Sequence, residues 1–475
     1  MSIRITALYL VVACLSIYAW KDWFKSLCGL IVLMGVIEHE DMPKSMLGIQ
    51  GLNLWNVLFL MILLAWLATR RRENLTWDMP RHVNMLLLLY LGVIVLGFLR
   101  AVGDRSYLDH YPLASLISEE LINTVKWVLP GILLFDGCRS RKQVVLALVC
   151  ILAVYLLLSA QVVKRMPLES ALGGENERIQ RIRLKICLSI GYSAPNLSTI
   201  LSGASWAMLA ALPLVPRKKY WLLLLAAAGM VTFGQALTGG RAGYLAWGAT
   251  GLMLCLLKWR KYLLLAPVML IVLPIVFPGT ADRMLEGFGQ TDASGQETVD
   301  DLSVTSGRTA IWPYVIDKIG ESPVIGHGRL AMVRTGLYDK MTLLGHEGFS
   351  HPHNMYLQTL LDNGILGSIP IFLFWGTMLV YSTRLFRSHN RLYAAVGGLS
   401  LSLMLAQLFA GIGSQYFYPT ASTLTVWAAM LLALRVQVEE KRAQEVLQAD
   451  SVWDVPLPIP EREVAHARAE EAAWR

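Results

Sequence analysis

Apolar stretches of about 20 residues recur along most of this chain of 475 residues. That is the length a helix needs to cross the hydrocarbon core of a bilayer, where each segment has to satisfy its own backbone hydrogen bonds. Only 16% of the residues are charged, compared with about 25% in a typical soluble protein. These features predict an all-α fold, a polytopic bundle of transmembrane helices.

Thirteen apolar segments can be placed along the chain, and the first two are short enough to form a hairpin that does not span fully. The segments are 5–20, 24–37, 51–69, 83–100, 118–136, 144–162, 197–215, 221–237, 242–257, 262–277, 364–383, 393–412 and 418–436. The sequence therefore predicts 12 or 13 spans, and the side of the N-terminus depends on which count is right.

Basic clusters occur at every second connection, which is the pattern of cytoplasmic loops. They lie at 70–72, 139–142, 217–219, 258–261 and 384–391. This alternation divides the chain into N-terminal transmembrane helices (1–277), a large periplasmic loop containing short helices (278–363), C-terminal transmembrane helices (364–436) and a cytoplasmic tail (437–475).

The net charge of +8 comes from basic residues scattered through the loops between the spans. Such loops meet anionic membrane lipids, so the charge does not indicate nucleic-acid binding. The six cysteines lie mostly in apolar segments without C-x-x-C spacing, which is typical of small core residues rather than metal ligands. We expect no metal and no cofactor.

Two arginines stand at predicted helix starts on the outer side. Arg241 follows a pair of glycines where a span restarts, and Arg308 lies in the first turn of a helix predicted to begin near residue 306. The charge of Arg308 opposes the helix dipole, which prefers negative charge at the N-terminus. An anion bound by the guanidinium group and the backbone N–H groups together would remove this conflict. A solvated or snorkelling arginine is the alternative.

A histidine pair, His351 and His353, precedes another helix predicted in the same loop. Asn354 or His353 begins this helix and Gly364 ends it. Imidazole titrates near neutral pH, so His353 is a candidate base, with a structural histidine as the alternative. The H-x-H spacing also occurs in metal sites, but no nearby cysteine or H-E-x-x-H spacing supports one here.

Three further basic residues are candidates for substrate binding. Arg178 and Arg181, together with Lys185, fall on one face of a helix predicted in the outer loop 163–196. A neighbouring isoleucine face makes this an amphipathic helix on the outer membrane surface, which could guide an anionic lipid-linked substrate. Lys126 lies within the segment 118–136, where an ionisable residue usually faces a cavity.

Three stretches together resemble the O-antigen ligase and polymerase superfamily of bacterial membrane glycosyltransferases. They are "LTGGRAGYLAW", "SGRTAIWPYVIDKIGESPVIGHG" and "HPHNMYLQTLLDNGILG", and they occur in the order of the family. The family has an arginine in a small-residue turn, a second arginine before a tryptophan-bearing helix that ends in P-x-x-G-x-G, and an H-N-x-x-L helix followed by G-x-x-G. The resemblance covers roughly residues 235–370. His351 and the acidic insert at 289–303 depart from the pattern, so the choice between the two histidines stays open.

The resemblance implies a type-C-like glycosyltransferase of the bacterial inner membrane whose active site faces the periplasm. Such enzymes move a glycan from undecaprenyl diphosphate to a hydroxyl, either on lipid A–core (ligases) or on another lipid-linked repeat unit (polymerases). For this inverting reaction we expect Arg241 and Arg308 on the diphosphate and His353 as base or acceptor orienter. Glu347 and Asp362 are alternative bases, and His351 is a further substrate-binding candidate.

A lipid-linked sugar transporter would share the many-helix topology. It would show internal repeats and charged or broken helices near the middle of the bilayer, whereas the candidate charges here lie at the outer rim, apart from Lys126. A glycosyltransferase site further predicts that Arg241, Arg308 and His353 converge on one cavity that opens to the outer leaflet.

Overall fold

The computed structural model describes residues 3–46, 51–108, 111–172, 177–285, 290–291, 297–298, 305, 307–346, 349–414 and 416–452. Within these ranges the chain is helical apart from its turns and one pair of two-residue antiparallel strands, β1 (Gln290–Thr291) and β2 (Glu297–Thr298). The predicted all-α class is confirmed.

The helices are numbered here in chain order. They are α1 (Ile3–Tyr18), α2 (Trp23–Leu33), α3 (Leu54–Arg72), α4 (Arg81–Gly103), α5 (Leu113–Leu116), α6 (Asn123–Lys126), α7 (Leu129–Gly137), α8 (Arg141–Arg165), α9 (Glu169–Leu172), α10 (Glu177–Ile190), α11 (Ala194–Ala211), α12 (Lys218–Leu237), α13 (Arg241–Leu257), α14 (Ala266–Val276), α15 (Pro278–Leu285), α16 (Arg308–Glu321), α17 (Ala331–Arg334), α18 (Leu337–Leu343), α19 (Met355–Arg387), α20 (Arg391–Ala410) and α21 (Leu424–Val452). A π-helical turn covers Ile117–Ile122, and 3-10 turns cover Leu212–Leu214, Arg260–Leu265 and Ala421–Thr423.

Eight of the described helices are long and apolar enough to cross a membrane, which confirms a polytopic bundle. They are α3, α4, α8, α11, α12, α19, α20 and α21. A ninth span would come from the segment Arg260–Val276, which bends by 104° into α15.

The predicted count of 12 or 13 spans exceeds this number. Residues 5–20 and 24–37 form α1 and α2, which are apolar but short. The segment 118–136 is divided between the π-helical turn, α6 and α7, because Pro130 lacks the N–H group that would continue one helix through it. Hydropathy detects every apolar segment, but it does not show where the helix within a segment breaks.

The centre of the bundle is α20, whose most apolar stretch is 89% buried, whereas that of α12 is 28% buried. Residues 394–402 of α20, "AAVGGLSLS", are mainly small, and small side chains let neighbouring helices approach closely. Trp427 of α21 stacks on Phe374 of α19 and contacts Tyr90 of α4 edge-on. These contacts fix α19 and α20, whose outer ends carry part of the candidate site.

Four of the basic clusters assigned to the cytoplasmic side lie close together in two pairs, 70–72 with 139–142 and 258–261 with 384–391. Arg70 and Arg139 both form ion pairs with the buried Asp136. Lys258, at the end of α13, donates hydrogen bonds to the backbone where α19 ends, including the carbonyl of Ser388. Clusters far apart in sequence therefore lie at the same helix ends, as the alternating pattern requires.

The segment assigned to the large loop packs against the first turns of α19. Helices α16, α17 and α18 enclose a small core of their own, which includes Ile311, Val315, Met332 and Leu361. Helix α19 consists of two helical segments that meet in a kink at Gly364, which has the non-helical angles φ 61° and ψ −170°. The helix that begins after Asn354 therefore ends at Gly364, as the sequence predicts. In the predicted tail, α21 continues to Val452, and residues 453–475 lie outside the described residues.

Candidate active site

The turn before α13 presents Arg241 as the first residue of that helix, as predicted. Gly239 has a φ of 72°, a left-handed conformation that favours glycine. The Ser198 hydroxyl on α11 donates to the carbonyl of Gly240, with 3.0 Å between the oxygens. No side chain among the described residues caps the N-terminus of α13, and the positive end of its dipole lies beside the half-buried Arg241.

Helix α16 starts in a similar way. Gly307, with a φ of 75°, precedes Arg308, and no side chain among the described residues caps the helix. The side chains of Ile311 and Val315 are fully buried and anchor the helix in the small loop core. By its sequence this helix could be capped by Ser306 or Thr305, and Ser306 lies outside the described residues. Two helices therefore begin with an arginine and with backbone N–H groups that no capping side chain satisfies.

The two helix starts lie next to each other. A Cβ atom on Gly413, just beyond α20, would lie 3.2 Å from Nη1 of Arg308 and 3.6 Å from Cβ of Ala242. The Arg308 guanidinium therefore reaches the first turn of α13. Burial and the nearby charge of Arg241 lower the pKa of Arg308. Both effects mean that this cation stands in surroundings that disfavour positive charge.

Arg308 has no acidic partner among the described residues. In the part of the chain that the structure describes, no ion pair joins its guanidinium to a carboxylate. A half-buried cation normally pairs with an acid, because removing an unpaired charge from water is costly. The positive charge around Arg308 is thus available to an anion that enters from outside the protein.

The histidine pair lies in the same positive field. The imidazole rings of His351 and His353 are 3.9 Å apart between centroids. Burial and the charge of Arg308 lower the pKa of His351 to about 4. Burial, followed by the charges of His351 and Arg308, lowers the pKa of His353 to about 3. Both imidazoles are therefore neutral at pH 7.

The two histidines differ in what their ring nitrogens do. The backbone N–H of His353 donates to Nδ1 of His351 at 3.2 Å, so neutral His351 carries its proton on Nε2. Nδ1 of His353 is buried and has no hydrogen-bond partner within the described residues. An unpaired buried nitrogen calls for an explanation, and a catalytic role is one such explanation. The geometry therefore favours His353 over His351 as the reactive histidine.

Three contacts hold the histidine turn against its neighbours. The Trp312 indole on α16 donates to the carbonyl of Pro352 at 3.1 Å. Asn354 caps α19 through Oδ1, as predicted, and the N–H of Met355 donates to the carbonyl of Gly411 at 2.8 Å. His353 itself has a φ of 49°, a conformation that histidine tolerates better than most residues. The histidines are thus fixed relative to α16, α19 and α20.

Other arginines approach the same turn, and the sequence did not single them out. A Cβ atom on Gly239 would lie 2.7 Å from Nη1 of the buried Arg183 on α10. Nε of Arg283, on α15, donates to the carbonyl of Gly239 at 3.4 Å. One signal could have identified Arg183: it lies four residues after Ile179 and four before Cys187, on the buried face of an amphipathic helix.

The described contacts of the remaining candidates lie elsewhere. Arg178 and Arg181 are exposed on α10, and Arg178 pairs with Glu169 at 3.0 Å. Lys126 donates to the side-chain oxygens of Asn56 and Asn123, 3.2 Å and 2.8 Å away. None of these contacts connects the three residues to Arg241, Arg308 or the histidines.

Of the two alternative bases, Asp362 and Glu347, only Asp362 is among the described residues. Asp362 is fully buried, and its carboxylate accepts hydrogen bonds from Gln358 and Tyr418. It belongs to a separate network around Arg329, whose guanidinium lies 3.5 Å from the centre of the Tyr418 ring. Glu347 lies outside the described residues. Among the described residues, no group of three or more histidine, cysteine or acidic side chains could hold a metal ion.

The structure thus brings Arg241, Arg308, His351 and His353 together, while an opening to the outer leaflet stays a prediction. Residues 222–372 match the family model described as O-antigen ligase. A candidate polysaccharide ligase of Rickettsia conorii is 25% identical over 204 residues, 42% of this chain and 47% of that protein. The chain thus matches about half the length of this relative. The predicted relationship to the O-antigen ligase superfamily is confirmed, over a segment that contains Arg241, Arg308 and His353.

Proposed function

We propose that this protein is a glycosyltransferase of the bacterial inner membrane. It transfers a glycan from undecaprenyl diphosphate to an acceptor hydroxyl at the periplasmic face, and the acceptor is lipid A–core, as for an O-antigen ligase. The family match and the name of the relative support ligase chemistry on polysaccharide. The donor, the acceptor and the side of the membrane are parts of the proposal.

One observation carries the proposal: the half-buried Arg308 lies beside Arg241 without a carboxylate partner in the described chain. Two arginines at two uncapped helix starts form a strongly positive site. The guanidinium fork matches phosphate oxygens, and helix N-termini bind phosphate through their N–H groups. A diphosphate is therefore the leaving group that best suits this site.

In the proposed step, the acceptor hydroxyl attacks the anomeric carbon of the donor sugar as its proton passes to His353. The bond between that carbon and the diphosphate oxygen breaks, and its electron pair leaves with the diphosphate. Arg308 and Arg241 stabilise the charge that develops there, an effect worth about 10²–10³ in rate for one donor of this kind. A single displacement inverts the anomeric centre.

The lowered pKa of His353 fits this sequence of events. A base with a pKa of about 3 accepts protons poorly at pH 7. The pKa is low partly because of the charge of Arg308, and a bound diphosphate would offset that charge. His353 therefore becomes an effective base when the donor is in place.

The experiment is complementation of a strain that lacks this gene, following both the lipopolysaccharide ladder and the lipid-linked glycans. If long chains accumulate on undecaprenyl diphosphate, the protein is a ligase. If only single repeat units remain, it is a polymerase of the same superfamily. If neither pool changes, the proposal is wrong for lipopolysaccharide.

The complementing variants can separate chemistry from folding. His353→Asn removes the imidazole, but asparagine tolerates the positive φ of this position, so the backbone turn is kept. Arg308→Gln and Arg241→Gln remove the charges. Arg105→Gln is the matched control, because Arg105 is exposed in another loop. Full transfer by His353→Asn would remove the assignment of His353 as base.

A further inference from the structure

A second polar feature lies far from the candidate active site. A cavity of about 470 Å³ is located between the end of α13 and the turn that joins α19 to α20. Its lining combines basic and apolar groups, among them Lys258, Arg387, His389, Arg391, Leu257 and Ala394. Helix α13 runs from Arg241 to this cavity over 17 residues, a distance of about 25 Å. The cavity therefore lies at the other end of α13 from the candidate active site.

The turn that carries the basic groups has a defined conformation. Nζ of Lys258 donates to the carbonyls of Phe386 and Ser388, the latter at 3.0 Å. Oδ1 of Asn390 caps α20 by accepting from the N–H of Leu392 at 2.9 Å. Arg387 and Arg391 are thereby held on either side of a three-residue connection.

These basic groups are not neutralised by the described part of the protein. No ion pair with a carboxylate is formed by Lys258, Arg387, His389 or Arg391 within the described ranges. In two other basic clusters, in contrast, one arginine each, Arg70 and Arg139, is paired with Asp136. The cavity therefore concentrates positive charge that its own walls do not offset.

The surroundings of the cavity are those of a membrane interface. Trp221 and Tyr262, 42% and 47% exposed, lie close in sequence to the basic clusters at 217–219 and 258–261. Exposed tryptophan and tyrosine are typical of the head-group region. Leu252 and Leu256 are exposed within the last two turns of α13, directly before Lys258. A basic cavity thus adjoins an apolar surface suited to acyl chains.

We propose that this cavity binds the head group of an anionic phospholipid, with the acyl chains along Leu252 and Leu256. The guanidinium forks of Arg387 and Arg391, together with Lys258, suit a lipid that carries two phosphates better than one with a single phosphate. The leaflet is the one that the basic loops face, where anionic lipids attract Lys and Arg. This proposal goes beyond the proposed function and does not depend on it.

The test is native mass spectrometry of the delipidated full-length protein, titrated with cardiolipin, phosphatidylglycerol and phosphatidylethanolamine. We expect cardiolipin to bind most tightly and phosphatidylethanolamine most weakly. Arg387→Gln/Arg391→Gln should weaken cardiolipin binding by about 30-fold, from the usual contribution of two basic groups at an anionic surface. Arg71→Gln/Arg72→Gln, with the same charge change at exposed positions outside the cavity, should bind as wild type does.

Equal binding of cardiolipin and phosphatidylethanolamine by the wild type would overturn the proposal, as would equal weakening in both double variants. Displacement of cardiolipin by millimolar inorganic pyrophosphate would also overturn it, because the ligand would then be a soluble anion. Lys258→Gln, measured in the same way, provides a second variant if Arg387→Gln/Arg391→Gln does not fold. An unchanged cardiolipin affinity in that variant would count against the cavity.

Discussion

Gly364 is the position where a single methyl group should do the most damage to the architecture behind the candidate site. Its angles, φ 61° and ψ −170°, belong to a region that is essentially restricted to glycine. A Cβ atom here would lie 2.4 Å from the backbone nitrogen of Gly326, in the turn that follows α16. The N–H groups of His327 and Gly328 donate to the carbonyls of Leu361 and Asp362, at 2.8 Å and 2.7 Å. The methyl group would therefore separate α19 from the turn after α16.

The loss of folding free energy in Gly364→Ala follows from two effects. Holding alanine in this conformation costs about 1–3 kcal/mol, and forcing extra volume into a packed backbone contact costs about 1–3 kcal/mol more. Together they predict that Gly364→Ala destabilises the protein by about 2–6 kcal/mol. Gly376→Ala is the matched control on the same helix, because no atom lies within 4 Å of the new Cβ. In a helix interior this change should be neutral or stabilising, by up to about 1 kcal/mol.

The assay is thermal unfolding of the purified protein in detergent, combined with complementation of the deletion strain. Gly364→Ala should lower the apparent melting temperature and reduce complementation, because the shifted turn also moves α16 and Arg308. Gly376→Ala should do neither. A Gly364→Ala protein that melts and complements like wild type would refute the reasoning, since it would show that the two backbones are not in contact.

Three further predictions concern the charges of the candidate site. Arg308→Lys keeps the charge but loses the planar guanidinium fork. The rate of transfer in a reconstituted assay should therefore fall by less than the roughly 10²–10³-fold loss expected for Arg308→Gln. Equal losses in the two variants would contradict a contribution of the positive charge that lysine retains. Because burial and nearby positive charge lower the pKa of His353 to about 3, the acid limb of kcat/KM, which reports the free enzyme, should lie below about pH 5. Arg308→Gln should move this limb upward, and a wild-type limb near pH 6.5 would contradict the assignment. Arg308→Gln should also raise the apparent melting temperature, because it removes a cation that burial and Arg241 disfavour; a fall would show that Arg308 has a stabilising partner.

The sequence predicts those parts of the site that stand at the ends of helices. Arg241 and Arg308 each follow a glycine, and His353 precedes an asparagine with capping chemistry, so local turn and cap signals locate all three. Arg183 carries no turn or cap signal; its spacing from Ile179 and Cys187 indicates the apolar face of α10, but only the packing shows that this face brings it to Gly239. Local chemistry can be read along the chain, whereas contacts between distant segments depend on how the helices pack.

The number of spans is likewise overestimated from the sequence, because it depends on where helices break. The segment 118–136 has the hydropathy of a membrane helix, yet the structure divides it near Trp127 and Pro130. The sequence alone does not distinguish a proline that starts a helix from a proline that breaks a longer one. The hydropathy of this segment predicts that Lys126 lies within a span. The structure shows Lys126 at the end of the short α6, among amide and tryptophan side chains.

The candidate site concentrates features that each cost folding free energy. Arg308 is half-buried beside another cation, and His353 combines a φ of 49° with a buried ring nitrogen that has no partner among the described residues. Such features persist only where the surrounding structure holds them, which here is done by the buried side chains of Ile311 and Val315 and by the bond from Trp312 to Pro352. An anion bound beside Arg308 would remove the largest of these costs, because it would compensate a half-buried charge that has no carboxylate partner among the described residues. In the proposed function that anion is the diphosphate of the donor, and its charge would raise the pKa of His353 toward the range in which it can accept a proton.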